Sequence, residues 1–222
     1  MMNEIYHTTS TLQLPWIVES GELRPSPNSD TGIGESVLLW GRTKKVEDMT
    51  SSAVAATKYR KAAWREDLFR LVRFALPAEG FLTWKEAVHQ QGWTDVAVAE
   101  MVADDHRRHG KFNHSRWCCR ADPLPLTNVL KVEARRYVGR WQPIELDPGR
   151  IVRFRKAPDY RGYTIGGKTF SARRERSPVI IKGVPLYIYH PPMTDDEYAD
   201  AAFVARRKAE EEDQDNFYRD WD

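Results

Sequence analysis

The chain of 222 residues is poor in sulfur chemistry: it holds two cysteines, Cys118 and Cys119, and they are adjacent. Neighbouring cysteines almost never bridge each other, so no disulfide framework is expected, and a reducing, cytoplasmic compartment is the default. No apolar run approaches the roughly 20 residues that a membrane span needs, so no membrane partner is expected. The opening residues, MMNEIYHTTS, lack a basic stretch followed by an apolar one, so a secretory leader is not expected. Several catalytic signatures are missing as well: there is no Gly-x-Ser-x-Gly, no P-loop and no His-Glu-x-x-His. Gly32-Ile33-Gly34 lacks the third glycine and the strand-turn-helix setting of a dinucleotide fingerprint, and reads as a loop.

What is present is a globular composition. Hydrophobic residues make up 41% and charged residues 30%, with eight Trp, nine Tyr and eight Phe, which excludes a disordered or collagen-like chain. The length suggests one domain with an appendage, at roughly 150 residues per domain. The formal net charge is +2, but it is unevenly spread. Residues 150–190 carry ten Lys or Arg against two Asp or Glu, and residues 191–222 carry four against eleven. Three regions follow: a balanced body at 1–149, a basic β-rich extension at 150–190, and an acidic helix and tail at 191–222.

Periodicity and punctuation place the elements. Residues 3–8 read as a first strand. Leu12, Leu14, Trp16, Ile17 and Val18 form a helical stripe, with Ser10 as a candidate N-cap, Pro15 in the first turn and Gly21 as the stop. Residues 36–40 and 68–76 read as strands, 50–61 as a helix, and 83–108 as one or two helices interrupted at Gly92. Strands are expected at 117–120, 129–135, 140–146 and 151–155. Gly166-Gly167, flanked by β-formers, signals a hairpin. Two short strands should surround Gly183, and Thr194 to Glu197 forms a capping box before a terminal helix.

Three segments stand out together: Ile5-Tyr6-His7-Thr8-Thr9-Ser10 running on to Gly21-Glu22-Leu23-Arg24-Pro25; Val37-Leu38-Leu39-Trp40-Gly41-Arg42-Thr43; and Trp117-Cys118-Cys119-Arg120-Ala121-Asp122-Pro123, which leads to Glu133 and Trp141. Their order resembles the ADP-ribosyltransferase superfamily over about residues 4–146, in particular its DNA-targeting toxin branch and related small bacterial proteins. The resemblance implies an α+β fold: a split mixed β-sheet with flanking helices, to which the β-rich extension and terminal helix are added.

It also implies NAD as a substrate and a nucleic acid or a protein as acceptor. His7 would bind the adenosine ribose, and the backbone of Thr8 would face the nicotinamide amide. Tyr6 and Trp40 would stack on rings, Arg42 would pair with the pyrophosphate, and Tyr59 would wall the pocket. Asp122 or Glu133 would stabilise the ribosyl oxocarbenium as nicotinamide departs. Positioning and electrostatics of this kind supply most of the acceleration in such chemistry. Asp122 stands where related sequences carry Glu and is one methylene shorter.

Other readings compete. The same fold, catalytically silent, would be a binding module for nucleic acid or protein, and an RNA 2′-phosphotransferase-like chemistry would also use NAD. Arg153, Arg155, Arg161, Lys168, Arg173 and Arg174, interleaved with aromatics, suggest a single-strand platform. Alternatively, the acidic tail or a separate partner neutralises them. His106, His109, His114 and the cysteine pair have a loose zinc look, but adjacent strand cysteines point to opposite faces, so no metal is expected.

Overall fold

The computed structural model describes residues 4–27, 37–45, 61–109, 113–181 and 183–192. By internal contacts the chain divides into a unit at Met1–Pro191 and another at Pro192–Asp222. The expected helix at 50–61 apart from Lys61, the Gly32–Gly34 loop, the terminal capping box, the terminal helix and Tyr59 lie outside the described residues.

In chain order the first unit runs β1 (Glu4–Ser10), α1 (Leu14–Ser20), β2 (Glu22–Leu23), β3 (Ser26–Pro27), β4 (Val37–Arg42), α2 (Lys61–Arg65), β5 (Leu71–Pro77), β6 (Leu82–Thr83), α3 (Trp84–Gln90), α4 (Asp95–His109), β7 (Trp117–Arg120), β8 (Leu124–Pro125), β9 (Lys131–Arg135) and β10 (Gln142–Pro143). It continues with β11 (Ile151–Arg153), β12 (Tyr160–Ile165), β13 (Lys168–Arg174), β14 (Val179–Ile181), β15 (Val184–Leu186) and β16 (Tyr189–His190). The class is α+β.

Local chemistry sets several of these bounds. Gly21 takes a left-handed φ of 73° and its N–H caps Ile17 and Val18, which ends α1 as expected. The α1 N-cap is Gln13 rather than Ser10, because Ser10 is consumed as the last residue of β1. Thr83 and Glu86 form a reciprocal capping box that starts α3. Gly92, at φ 64°, separates α3 from α4. The expected strand at 140–146 shrinks to two residues of β10, which pair with Glu133 and Ala134.

The main sheet has eight strands, in the order β10-β9-β5-β1-β4-β7-β6, with β3 added alongside β4. Each described pairing is antiparallel, where a mixed sheet was expected. Even the two-helix link between β6 and β7 brings the chain back to the end it left.

One face of this sheet is apolar. Ile5, Leu39, Phe74, Leu76, Cys118, Val132 and Ala134 join Leu14 and Val18 of α1 in a single buried cluster. Tyr163, Ile165 and Phe170 belong to the same cluster. They come from a second sheet, β11-β12-β13-β16, whose hairpin turns at Gly166 and Gly167 with φ of 56° and 80°. Residues 150–190 therefore share a core with the body. The fully buried Tyr163 fixes this seam: its hydroxyl accepts from the Asp147 N–H at 2.8 Å and donates to the Glu145 carbonyl at 3.0 Å.

Candidate functional site

Cross-strand partners point to the same face of a sheet, and successive residues point to opposite faces. Tyr6 pairs with Arg42 on β4 and with Ala75 on β5, and Thr8 pairs with Arg73, which pairs with Glu133. Tyr6, Thr8, Arg42, Arg73 and Glu133 thus share the face opposite the apolar core. Trp40, two residues before Arg42, belongs to that face too. His7 points the other way, beside Phe74, with ring centroids 6.2 Å apart.

The strands β1 and β4 meet at one residue pair, Tyr6 with Arg42, although they are seven and six residues long. The approach there is close: a Cβ on Gly41 would lie 2.3 Å from the Ile5 Cγ2. Beyond that pair the strands part, and the His7 imidazole spans the opening, its Nδ1 2.8 Å from the Trp40 carbonyl oxygen. A carbonyl only accepts, so Nδ1 carries the proton and donates. Burial lowers the imidazole pKa below the ordinary 6.5; the Trp40 carbonyl opposes this and the Arg42 charge adds to it. His7 is therefore neutral at pH 7, with Nε2 as an acceptor.

Around Arg73 lies a charged and aromatic cluster that includes the expected Tyr6 and Glu133, but whose centre, Arg73, was not among the expected site residues. Arg73 donates to Glu133 from Nη2 at 2.7 Å and Nε at 3.3 Å, and from Nη1 to the Lys45 carbonyl at 3.3 Å. Its guanidinium lies 4.2 Å from the Trp141 ring and 5.8 Å from the Tyr6 ring. Lys131 closes on the other Glu133 oxygen at 2.7 Å. Burial pushes the Glu133 carboxyl up, but hydrogen bonds from Lys131 and Arg73 outweigh it and hold its pKa below the ordinary value. The Tyr6 hydroxyl bonds to Glu4, and burial together with that carboxylate raises its pKa to about 12. The available signal was an arginine in the middle of an otherwise apolar strand, Leu71 to Leu76.

The remaining candidates disperse. Asp122 is exposed in the bend after β7, with its carbonyl held by the Arg120 Nε at 2.9 Å. The chain beyond it forms β8, which pairs with β2, so this turn is tied to the end of α1 and not to His7. Glu133 sits two strands from β1, about 10 Å at the usual strand spacing. Trp40 packs with Trp84, Trp93 and Trp117 at centroid separations of 5.8 to 6.4 Å. Cys118 and Cys119 are buried in different clusters on opposite faces, so they cannot share one metal ion. Burial pushes both thiols up to about 12.

The basic residues of the extension also divide by face. Arg153, Arg161, Lys168 and Arg174 share the face that Tyr163 and Phe170 turn to the body. Glu19 of α1 holds Arg153 at 2.7 Å and Arg161 at 3.9 Å. Lys168 pairs with Asp67 at 3.2 Å, and Arg174 lies over Tyr187 at 4.3 Å. Arg173 faces outward, and Arg155 is exposed beyond β11. The six do not form one continuous stripe, and body carboxylates engage three of them. No family model matches the chain, and no curated protein or solved structure matches it.

Proposed function

We infer that the chain is an NAD-dependent mono-ADP-ribosyltransferase on an ADP-ribosyltransferase-like fold, with a nucleic acid or a protein as acceptor. The observation that carries this reading is the parting of β1 and β4 and its bridging by His7. The imidazole is held through Nδ1 and neutral, so Nε2 is left to accept a ribose hydroxyl. The backbone of Thr8 follows directly on β1, where the nicotinamide amide would lie. Arg42 and Tyr6 stand at the last pair before the strands separate, but on the face opposite His7, so they carry no part of this reading.

The carboxylate role divides the reading. Glu133 is neutralised by Arg73 and Lys131, and Asp122 sits in a turn tied to β2. Both observations favour, as a second reading, a catalytically silent module that binds NAD or another ligand without cleaving it.

Incubation with NAD separates the two. Transferase activity releases nicotinamide, and NAD raises the melting temperature; a silent module gives the thermal shift without release. His7→Asn should remove the shift in either case. Neither release nor shift would end the NAD reading. Because the neutral ring is the competent form, NAD affinity should hold above pH 6.5 and fall as acid protonates His7 below its depressed pKa.

A further inference from the structure

At the β9–β10 edge of the main sheet, two strands away from β1, there is a cavity of about 470 Å³. That volume is typical of a small-molecule site. Its floor is apolar, from Ala134, Ile144 and Ile165, and four arginines reach its lining: Arg70, Arg136, Arg140 and Arg150. Against them stands one lining carboxylate, Glu145.

The four arginines are not equivalent. Arg70 is locked by Asp67 through two bonds of 2.8 and 2.7 Å and packs over the Phe170 ring at 4.7 Å. Arg150 is held by Glu145 at 2.8 Å. These two are pre-positioned walls. Arg136 commits its Nε to the Val138 carbonyl at 3.1 Å, which leaves its two terminal nitrogens without a partner among the described residues. Its side chain lies across Gly139, within 3.3 Å of where a Cβ would stand, so the absence of a side chain there lets it lie flat. Arg140 is exposed and has no hydrogen-bond or ion-pair partner among the described residues.

We propose that this cavity binds a phosphomonoester of nucleotide size, with Arg136 and Arg140 taking the phosphate and the apolar floor taking the remainder. Planar guanidinium forks match phosphate oxygens in pairs. The volume greatly exceeds a bare phosphate, and Ala134, Ile144 and Ile165 offer it nothing to bond. Glu145 stands where it can accept from a sugar hydroxyl or a base N–H. The site is separate from the opening between β1 and β4 and does not depend on the NAD reading.

Isothermal titration of the full chain with AMP, adenosine, inorganic phosphate and a short single-stranded oligonucleotide tests this. AMP should bind at least about tenfold tighter than adenosine, the range expected for losing charge-assisted hydrogen bonds. It should also bind tighter than phosphate. Arg136→Ala and Arg140→Ala should each weaken AMP about tenfold, while Lys85→Ala, on the exposed side of α3, leaves it unchanged. NAD-induced thermal shift should survive the double variant R136A/R140A, so a failure here is distinguishable from a failure of the NAD reading. Equal affinity for AMP and adenosine, phosphate binding as tightly as AMP, AMP binding untouched by the double variant, or no AMP binding would each overturn the proposal. Tighter binding of the oligonucleotide, lost in the same variants, would overturn it in favour of a strand.

Discussion

The two faces of the main sheet are built by the same strands and differ in every second residue. Ile5, Phe74 and Val132 point one way into an apolar core, and their neighbours Tyr6, Arg73 and Glu133 point the other way into a charged and aromatic cluster. One-residue alternation thus separates the work of holding the fold from the placing of charge. His7 is an exception. It lies on the apolar side yet carries a polar ring, and it is tolerated there because the strands part and the Trp40 carbonyl accepts a hydrogen bond from its Nδ1–H.

The largest effect should come from breaking the apolar face. Phe74 is fully buried at the centre of β5, and Phe74→Ala should cost about 3–5 kcal/mol through lost burial and the cavity left behind. A chemical denaturation midpoint measures this. A loss under about 1 kcal/mol would mean that the core closes over the gap, and the contrast between faces would be weaker than drawn.

The charged face should break in a different manner. Glu133→Gln leaves Arg73 and Lys131 without their shared carboxylate, at about 3 kcal/mol, whereas replacing the buried pair outright with Arg73→Met and Glu133→Leu together should recover most of that loss. A double variant no more stable than the single one would show that Trp141 and Tyr6 need the guanidinium itself. The pH dependence follows from the same pair. The Glu133 pKa is depressed in the folded state, so its contribution is complete above the unfolded value of 4.5 and fades as pH falls through the lower folded value. Glu133→Gln should flatten the acid limb of a stability profile below pH 4.5 and leave the neutral limb parallel to that of the original chain.

At the junction of the two faces, Gly41→Ala would drive a methyl to 2.3 Å from the Ile5 Cγ2. The cost should be about 1–3 kcal/mol, typical of an overpacked core. Since it forces β1 from β4 at their single pair, it should also change NAD affinity more than Phe74→Ala does at matched stability. Equal changes in affinity would detach the NAD reading from the strand opening.

The sequence made some of this legible and hid the rest for physical reasons. Glycines punctuate locally, so the stop at Gly21, the break at Gly92 and the hairpin at Gly166-Gly167 could be read in place. The strands at Leu71–Pro77 and Trp117–Arg120 showed their β-forming, apolar texture. The α+β class, which the resemblance implied, agrees with the elements observed. Register does not show in a local window. Arg73 and Glu133 are 60 residues apart, and their meeting depends on which residue of β9 lies opposite which residue of β5. The partner of His7 is a backbone carbonyl 33 residues away. In the extension, the spacing of Arg153, Arg161 and Lys168 showed basic residues but not that pairing would turn all three toward the body, where Glu19 and Asp67 meet them.

The smallest expected effect tests that last point. Glu19 meets Arg153 and Arg161 at the seam between α1 and the small sheet, and the Arg153 pair is well exposed, at 66% and 36%. Exposed pairs contribute about 0.2–1 kcal/mol, so Glu19→Ala should shift the denaturation midpoint slightly, and by less at high salt where screening is stronger. The apolar seam made by Tyr163, Ile165 and Phe170 should hold regardless. The variant also frees two arginines to meet polyanions. If an extension freed in this way gains salt-sensitive affinity for single-stranded nucleic acid, Glu19 is what keeps these arginines from acting as a platform. If it gains none, the arginines serve the seam alone, and any acceptor is gripped elsewhere on the chain.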